Sequence, residues 1–159
     1  MTAPALERSP AAGDRAPDFT LQSTGGGAVT LSSFGGKKHV LLAFFPFAFT
    51  STCTEELCAL RDDYAQFAGR DVEVLPISVD SVPALAEFKK QHHMQVDLLS
   101  DFKREASLAY GTLWQDAYFS NRAYFLIDKA GVVRWAHVEE NPGLRRGNDE
   151  ILEQIAKLA

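Results

Sequence analysis

Residues 39–67 read HVLLAFFPFAFTSTCTEELCALRDDYAQF, and this stretch has the pattern of a buried strand followed by a helix. Residues 39–45 form an apolar run, as is typical of a central strand that is covered by helices on both faces. After the loop at Pro46, apolar residues at positions 57, 60, 64 and 67 form one stripe of a helix predicted over residues 52–68. A strand, a short loop and a helix in this order predict an α/β fold.

The rest of the chain continues this alternation of strands and helices. Apolar runs at residues 72–79 and 123–127 predict two more central strands, and residues 132–138 form a hairpin with the second of them. A glycine turn between strands at residues 19–22 and 28–31 predicts an N-terminal β-hairpin. Further helices are predicted over residues 82–92, 103–110 and 148–158. Together these elements predict a central mixed β-sheet flanked by helices.

The composition indicates one ordinary globular domain of 159 residues, 46% of them hydrophobic. A net charge of −5 argues against nucleic acid or an anionic membrane surface as a partner. The longest apolar run, residues 40–49, has about half of the ~20 residues that a bilayer requires. The N-terminal segment lacks the apolar core of a secretory signal. We therefore expect a flexible tail at residues 1–12, one domain at residues 13–159 and a cytoplasmic location.

Only two cysteines occur in the chain, Cys53 and Cys58. Two are too few for a disulfide-rich scaffold or for a zinc site made of four thiolates. His92 and His93 stand at the end of a predicted helix, where positive charge suits the helix dipole. Their spacing from the cysteines matches no usual set of zinc ligands, so we expect no metal.

Cys53 lies where the predicted helix begins, behind three residues that can cap it. We expect Glu55 and Glu56 in the first turn, where negative charge suits the helix dipole. The free N–H groups and the positive dipole at a helix start favour the thiolate form of a cysteine, which is the nucleophile. Position alone leaves two interpretations open, a reactive thiol and a small buried residue of the core.

Cys58 follows five residues later, about 140° further round the helix and away from the apolar stripe. Helix geometry separates the two Cα atoms by roughly 8–9 Å. A disulfide tolerates about 7 Å at most, so the two sulfurs can join only if part of the helix unwinds. Cys58 is therefore either an inert packing residue or half of a switch that needs local unfolding.

Four motifs, in this order along the chain, resemble those of the peroxiredoxins. They are GDRAPDF at residues 13–19, P-x-x-x-T-x-x-C at residues 46–53, LLSD at residues 98–101 and RAYFLIDKAG at residues 122–131. The similarity runs from about residue 13 to the C-terminus. It implies a thioredoxin-like fold and a thiol peroxidase that works without metal, haem or any other cofactor.

The resemblance also implies a role for each residue of the motif. Cys53 would attack hydrogen peroxide or an organic hydroperoxide as a thiolate and become a sulfenic acid. Thr50 would hydrogen-bond the peroxide and the sulfur, and Pro46 would shield the thiol from water. Arg122 would hold the thiolate and the polarised peroxide, and Glu56 would orient that arginine.

Two groups within the family make different predictions about Cys58. A second cysteine at +5 resembles the bacterioferritin comigratory protein (peroxiredoxin Q) group, which implies an intrachain disulfide that thioredoxin or a similar thiol reduces. The loop FPFAFTSTC resembles the one-cysteine peroxiredoxin E group, which implies an external thiol. A peroxide-responsive redox sensor is a further alternative. A thiol–disulfide reductase fits less well, because such enzymes use C-x-x-C. We expect a monomer or a homodimer.

Overall fold

A computed structural model describes residues 9–114 and 118–158 of the chain. Residues 1–8 of the predicted N-terminal tail lie outside the described part. The described residues form seven strands: β1 (Thr20–Ser23), β2 (Ala28–Thr30), β3 (His39–Phe44), β4 (Val72–Ser78), β5 (Leu99–Ser100), β6 (Ala123–Ile127) and β7 (Val133–Val138). The same residues form five α-helices: α1 (Ser51–Asp62), α2 (Tyr64–Ala68), α3 (Val82–Gln91), α4 (Glu105–Ala109) and α5 (Asn148–Ala156).

The strands make one mixed sheet in the order β2-β1-β5-β4-β3-β6-β7. Strand β3 pairs parallel with β4 and antiparallel with β6, and β4 pairs parallel with β5. The N-terminal hairpin of β1 and β2 joins through the antiparallel pairing of β1 with β5. This architecture confirms the predicted α/β fold with a central mixed sheet and an N-terminal hairpin.

Two apolar clusters cover the two faces of the sheet, because successive side chains of a strand point to opposite sides. On β3, Leu41 and Ala43 join the cluster that contains residues of α1, α3 and α5. Leu42 and Phe44 join the opposite cluster, which contains residues of α4 and of the N-terminal hairpin. Strand β3 is buried on both faces, as its sequence predicts, and it ends at the loop that leads to Cys53.

The helix predicted over residues 52–68 is two helices in the structure, α1 and α2. The break falls at Asp63, whose side chain accepts hydrogen bonds from Asn148 Nδ2 at 2.8 Å and from Gln66 Nε2 at 3.1 Å. These bonds tie Asp63, the C-cap residue of α1, to α5 and to α2. Because of the break, the predicted apolar stripe is wrong at Tyr64, which is exposed, while Phe67 is fully buried.

Other boundaries differ by a few residues. The two-residue strand β5 was not predicted, since a strand of that length has no readable pattern. A short 3-10 helix, Leu31–Phe34, begins where the second strand was expected to end. Helix α3 begins as predicted, with the Ser81 hydroxyl accepting from the Ala84 amide at 3.4 Å. Helix α4 is shorter than predicted because Arg104 adopts a left-handed conformation immediately before it. Among the described residues, the structure has no helix both long and apolar enough to span a bilayer.

Candidate active site

Cys53 is the third residue of α1, whose N-cap is Thr50, so the predicted place of this cysteine at a helix start is confirmed. Its side chain is buried within the core cluster that contains α1. The prediction that Glu55 and Glu56 lie in the first turn is wrong. The helix begins at Ser51, earlier than expected, and both glutamates therefore lie beyond that turn.

The loop between β3 and α1 is fixed to the neighbouring strand. Pro46 is buried directly after β3, and the Ala48 amide donates to Asp80 Oδ2 at 2.8 Å. Phe49 has a φ of 69°, a left-handed conformation that is unusual for a bulky side chain. Its ring is half exposed and meets Phe88 of α3 edge-on, with 5.2 Å between the ring centroids. The loop thus has a defined shape although it lies partly at the surface.

Thr50 is exposed and makes a local hydrogen bond. Its hydroxyl donates to the Phe47 carbonyl at 2.8 Å. A hydroxyl has one proton to donate and two lone pairs that accept. In this arrangement the Thr50 oxygen can accept a hydrogen bond from an incoming O–H, while its own proton is engaged.

Arg122 precedes β6, and its guanidinium reaches the start of α1. Nη2 donates to Cys53 Sγ at 3.0 Å, and Nη1 donates to Glu56 Oε1 at 2.6 Å. Nη2 and Nε also donate to the Pro142 carbonyl, at 3.0 and 3.3 Å. Arg122 and Glu56 are both almost completely buried. The structure therefore brings together three of the predicted site residues, Cys53, Glu56 and Arg122.

A tyrosine that the sequence analysis did not identify completes the network. The Tyr124 hydroxyl donates to Glu56 Oε2 and accepts from the Arg146 amide at 3.0 Å. Residues 122 and 124 share one side of the chain, because side chains alternate along a strand. That alternation was a readable signal for Tyr124. The Pro142 carbonyl has no such signal, since a backbone oxygen can come from any residue.

Burial and charge act against each other in this network. Burial raises the pKa of the Glu56 carboxyl, and the Arg122 guanidinium opposes that rise. Burial disfavours the charge on Arg122, but Glu56 and Cys53 outweigh it and raise the pKa of this arginine. Burial and Glu56 raise the pKa of Tyr124, so its hydroxyl keeps its proton and donates. A fixed cation beside a sulfur, shielded from water, can stabilise negative charge that develops on sulfur or oxygen.

Cys58 lies apart from this network. It is partly buried on α1, and both cysteines are free while the helix continues through them. Cys58 Sγ is 3.7 Å from Nδ1 of His92, the C-cap residue of α3. The Arg61 guanidinium donates from Nη1 to the His92 carbonyl at 2.8 Å. His92 ends its helix as predicted, whereas its contact with Cys58 was not predicted.

Across residues 9–114 and 118–158, no group of three or more His, Cys, Asp or Glu side chains is arranged to hold a metal ion.

Comparison with known proteins gives consistent matches. The model of the AhpC/TSA family matches residues 12–136. Alkyl hydroperoxide reductase E of Mycobacterium tuberculosis (strain ATCC 25618 / H37Rv) is 41% identical over 133 residues, which are 82% of this chain and 86% of that protein. The crystal structure of reduced Plasmodium vivax 2-Cys peroxiredoxin superposes with a TM-score of 0.85 and 36% identity, over 91% of this chain and 80% of that one. Peroxidoxin BcpB from Mycobacterium tuberculosis gives a TM-score of 0.84 at 27% identity, over 94% and 99%.

Proposed function

The chain belongs to the AhpC/TSA family of peroxiredoxins, thiol-dependent peroxidases with a thioredoxin-like fold, and from this we propose that Cys53 is the thiol that attacks the hydroperoxide. One observation carries the proposal. Cys53 Sγ lies 3.0 Å from Nη2 of Arg122, and Glu56 holds the same guanidinium at 2.6 Å. A thiolate formed there has a fixed cation beside it in a site shielded from water.

In the proposed reaction, the Cys53 thiolate attacks one oxygen of the hydroperoxide. An S–O bond forms and the O–O bond breaks, so the sulfur is oxidised to a sulfenic acid and the peroxide is reduced. The departing oxygen takes up a proton and leaves as water or an alcohol. Arg122 stabilises the negative charge that moves from sulfur to oxygen, and Glu56 keeps the guanidinium in place.

The loop residues assist this step. Thr50 accepts a hydrogen bond from the peroxide O–H, since its own proton goes to the Phe47 carbonyl. Pro46, which is buried at the base of the loop, limits the access of water to the sulfur. Thr50 thereby helps to orient the peroxide, and Pro46 helps to keep water out of the site.

Cys58 is proposed to resolve the sulfenic acid by forming a disulfide with Cys53. Thioredoxin or another thiol donor then reduces that disulfide. A one-cysteine cycle, in which an external thiol reduces the sulfenic acid directly, is the second candidate. It requires no unwinding of α1, which is continuous between the two free thiols.

The nucleophile can be tested with the same substitution at the two cysteines. Hydroperoxide consumption is measured for Cys53→Ser and Cys58→Ser, first with dithiothreitol and then with a thioredoxin system as the reductant. We expect Cys53→Ser to lose activity with both reductants. Cys58→Ser should keep the first oxidation step and lose most turnover with thioredoxin. Wild-type activity in Cys53→Ser would contradict the assignment of the nucleophile.

Mass spectrometry after one equivalent of peroxide separates the two cycles. Loss of two hydrogens with a linkage between residues 53 and 58 supports the two-cysteine cycle. A persistent gain of one oxygen on Cys53, with Cys58 free, supports the cycle with an external thiol.

The remaining features of the proposal concern the setting of the protein. A cytoplasmic location suits a cycle that consumes thiol reductants, which are abundant there, and cell fractionation tests it. A monomer or a homodimer is proposed, and sedimentation tests which one forms.

The globular domain is proposed to be residues 13–159, because the Gly13 amide donates to the Val133 carbonyl at 2.8 Å and so joins β7. Limited proteolysis tests that boundary.

A further inference from the structure

The contact between Cys58 and His92 suggests a specific role for this histidine. We propose that His92 is the base that removes the proton of Cys58, so that Cys58 attacks the sulfenic acid of Cys53 as a thiolate. The inference deepens the proposed function, because it rests on Cys58 being the resolving residue. It starts from the 3.7 Å between Cys58 Sγ and His92 Nδ1, which lies within hydrogen-bonding range for sulfur. When the proton of the ring is on Nε2, Nδ1 is free to accept the thiol proton.

The structure fixes both the ring and the backbone of His92. The His92 ring lies 4.5 Å from the Phe88 ring, measured between centroids, and the His92 carbonyl accepts from Arg61 at 2.8 Å. His92 is only partly buried. A ring that is both fixed and partly solvated can take a proton from the thiol and pass it to water.

Charged side chains lie near this pair on both α1 and α3. Arg61 lies three residues after Cys58 on α1, so the two side chains are neighbours on one face of the helix. Arg61 also forms an ion pair with Asp62, with 3.0 Å between Arg61 Nη2 and Asp62 Oδ1. On α3, Lys89 is one turn before His92 and pairs with Asp97 at 2.5 Å. An imidazole within hydrogen-bonding range of a cysteine is typical of the surroundings of a reactive thiol.

In the proposed step, the Cys58 sulfur replaces the hydroxyl group on the Cys53 sulfur. The Cys58 proton moves to His92 Nδ1, and the Cys58 sulfur attacks the sulfur of the Cys53 sulfenic acid. The S–S bond forms as the S–O bond breaks. The departing hydroxide takes the proton from His92 and leaves as water. The Cys58 sulfur is oxidised by one electron and the Cys53 sulfur is reduced by one, so no further oxidant is needed.

Cys58 can stay beside His92 while Cys53 moves, because α1 is anchored unequally. Leu57 and Leu60 are buried on either side of Cys58, and Asn148 Nδ2 donates to the Ala59 carbonyl at 2.8 Å. The helix start lacks a side-chain cap. We expect the first turn to open once Cys53 is oxidised and its bond to Arg122 is weakened, which carries Cys53 towards a Cys58 that remains in position.

The test compares His92→Gln with His93→Gln, its exposed neighbour. Glutamine keeps a polar side chain but does not take up a proton near neutral pH. Each protein receives one equivalent of hydrogen peroxide. Mass spectrometry then follows the conversion of the protein with one added oxygen on Cys53 into the protein with a 53–58 disulfide. We expect conversion to be about tenfold slower in His92→Gln at pH 7, because an unassisted thiol is only a few per cent thiolate there. His93→Gln should match the wild type.

A pH series separates proton transfer from a structural effect. Above about pH 9 an ordinary thiol ionises without help, so the rate of His92→Gln should approach that of the wild type. A ratio of the two rates that stays constant with pH, or equal rates at pH 7, would overturn the role of His92 alone. A wild-type protein that forms no 53–58 disulfide would instead overturn the resolving role of Cys58, and the role of His92 with it.

Discussion

The two ends of α1 are held in different ways, although they belong to one helix and carry one cysteine each. At the first end, the side chain of Cys53 is bound by the buried guanidinium of Arg122. At the second end, Leu57 and Leu60 are buried and Asn148 bonds the Ala59 carbonyl. The contact with Arg122 involves the sulfur that the proposed reaction oxidises, whereas the contacts at the second end do not involve it.

The difference indicates which part of α1 is loosened when Cys53 is oxidised. A protonated sulfenic acid carries no charge, so we expect the loss of the thiolate to weaken the contact with Arg122 and to leave the second end unchanged. We expect Glu56 to remain bound to Arg122 and Tyr124 after oxidation, because neither bond involves sulfur. We therefore expect opening to stop at Glu56, which acts as the pivot between the two ends. Four measurements test this contrast.

The largest effect is expected when the cation of the first end is removed. Arg122→Met leaves the Glu56 carboxyl buried without its partner, which should cost about 3–5 kcal/mol of unfolding free energy. The rate of peroxide consumption should fall by about 100-fold or more, as expected when a preorganised charge is lost. Urea unfolding and a peroxide assay measure the two quantities.

Two variants control for this substitution. Arg122→Lys keeps the charge without the forked donor, and it should fold and give an intermediate rate. Arg134→Met removes an exposed arginine, 2.7 Å from Asp128, and should change the unfolding free energy by less than ~1 kcal/mol. An Arg122→Met protein that kept a third of the wild-type rate of peroxide consumption would show that the first end does not depend on the charge of Arg122.

A smaller effect is expected at the pivot. Tyr124→Phe leaves the Glu56 carboxyl without one donor and the Arg146 amide without its acceptor. A hydrogen bond to a charged group contributes about 1.5–3 kcal/mol, so urea unfolding should show a loss of about 2 kcal/mol. Tyr110→Phe is the matched control, since that hydroxyl donates to the neutral Pro17 carbonyl at 2.6 Å and should lose about 1 kcal/mol. Equal losses would mean that the carboxyl needs no donor from Tyr124.

Oxidation itself should change amide exchange at one end only. In Cys58→Ser, which cannot form the disulfide, one equivalent of peroxide should accelerate exchange of the Thr54 amide about tenfold, because a neutral hydrogen bond is weaker than a charge-assisted one. This amide donates to the Thr50 carbonyl at 2.8 Å within the first turn. The Asp63 amide, which donates to Ala59 at 3.2 Å, should exchange as before. Exchange by NMR that accelerates equally at both would refute the pivot.

The smallest effect is expected at the second end. Asn148→Ala removes the bonds to Ala59 and Asp63 and should lower the unfolding free energy by about 1 kcal/mol. The rate of Cys53 oxidation should not change, since no bond of that cysteine is affected. Gln66→Ala is the control, because its exposed bond to Asp63 at 3.1 Å does not reach α1. A slower oxidation step in Asn148→Ala would show that the two ends are coupled.

The sequence predicted the fold well where burial is strong on both faces. Strands β3, β4 and β6 were found because an apolar run of four or more residues is readable without any tertiary information. The break at Asp63 was not found, because it depends on Asn148, which is distant in the chain. Tertiary contacts of this kind override a helical pattern.

The site could be predicted only in part from the residues themselves. The helix start placed Cys53 correctly, but its contact with Arg122 joins residues 69 positions apart, and only the resemblance to a family suggested it. Tyr124 could have been found from strand alternation with Arg122. Asp80 and His92 could not, because their contacts depend on how a loop and two helices pack.

The conformation of Phe49 has a consequence for the energy landscape of the active-site loop. A bulky residue at a φ of 69° has a strained backbone, and this strain costs about 1–3 kcal/mol. Its ring contact with Phe88 offsets part of that penalty only while the loop is closed. We therefore expect the strain at Phe49 to favour conformations in which the start of α1 has opened, as the proposed disulfide step requires.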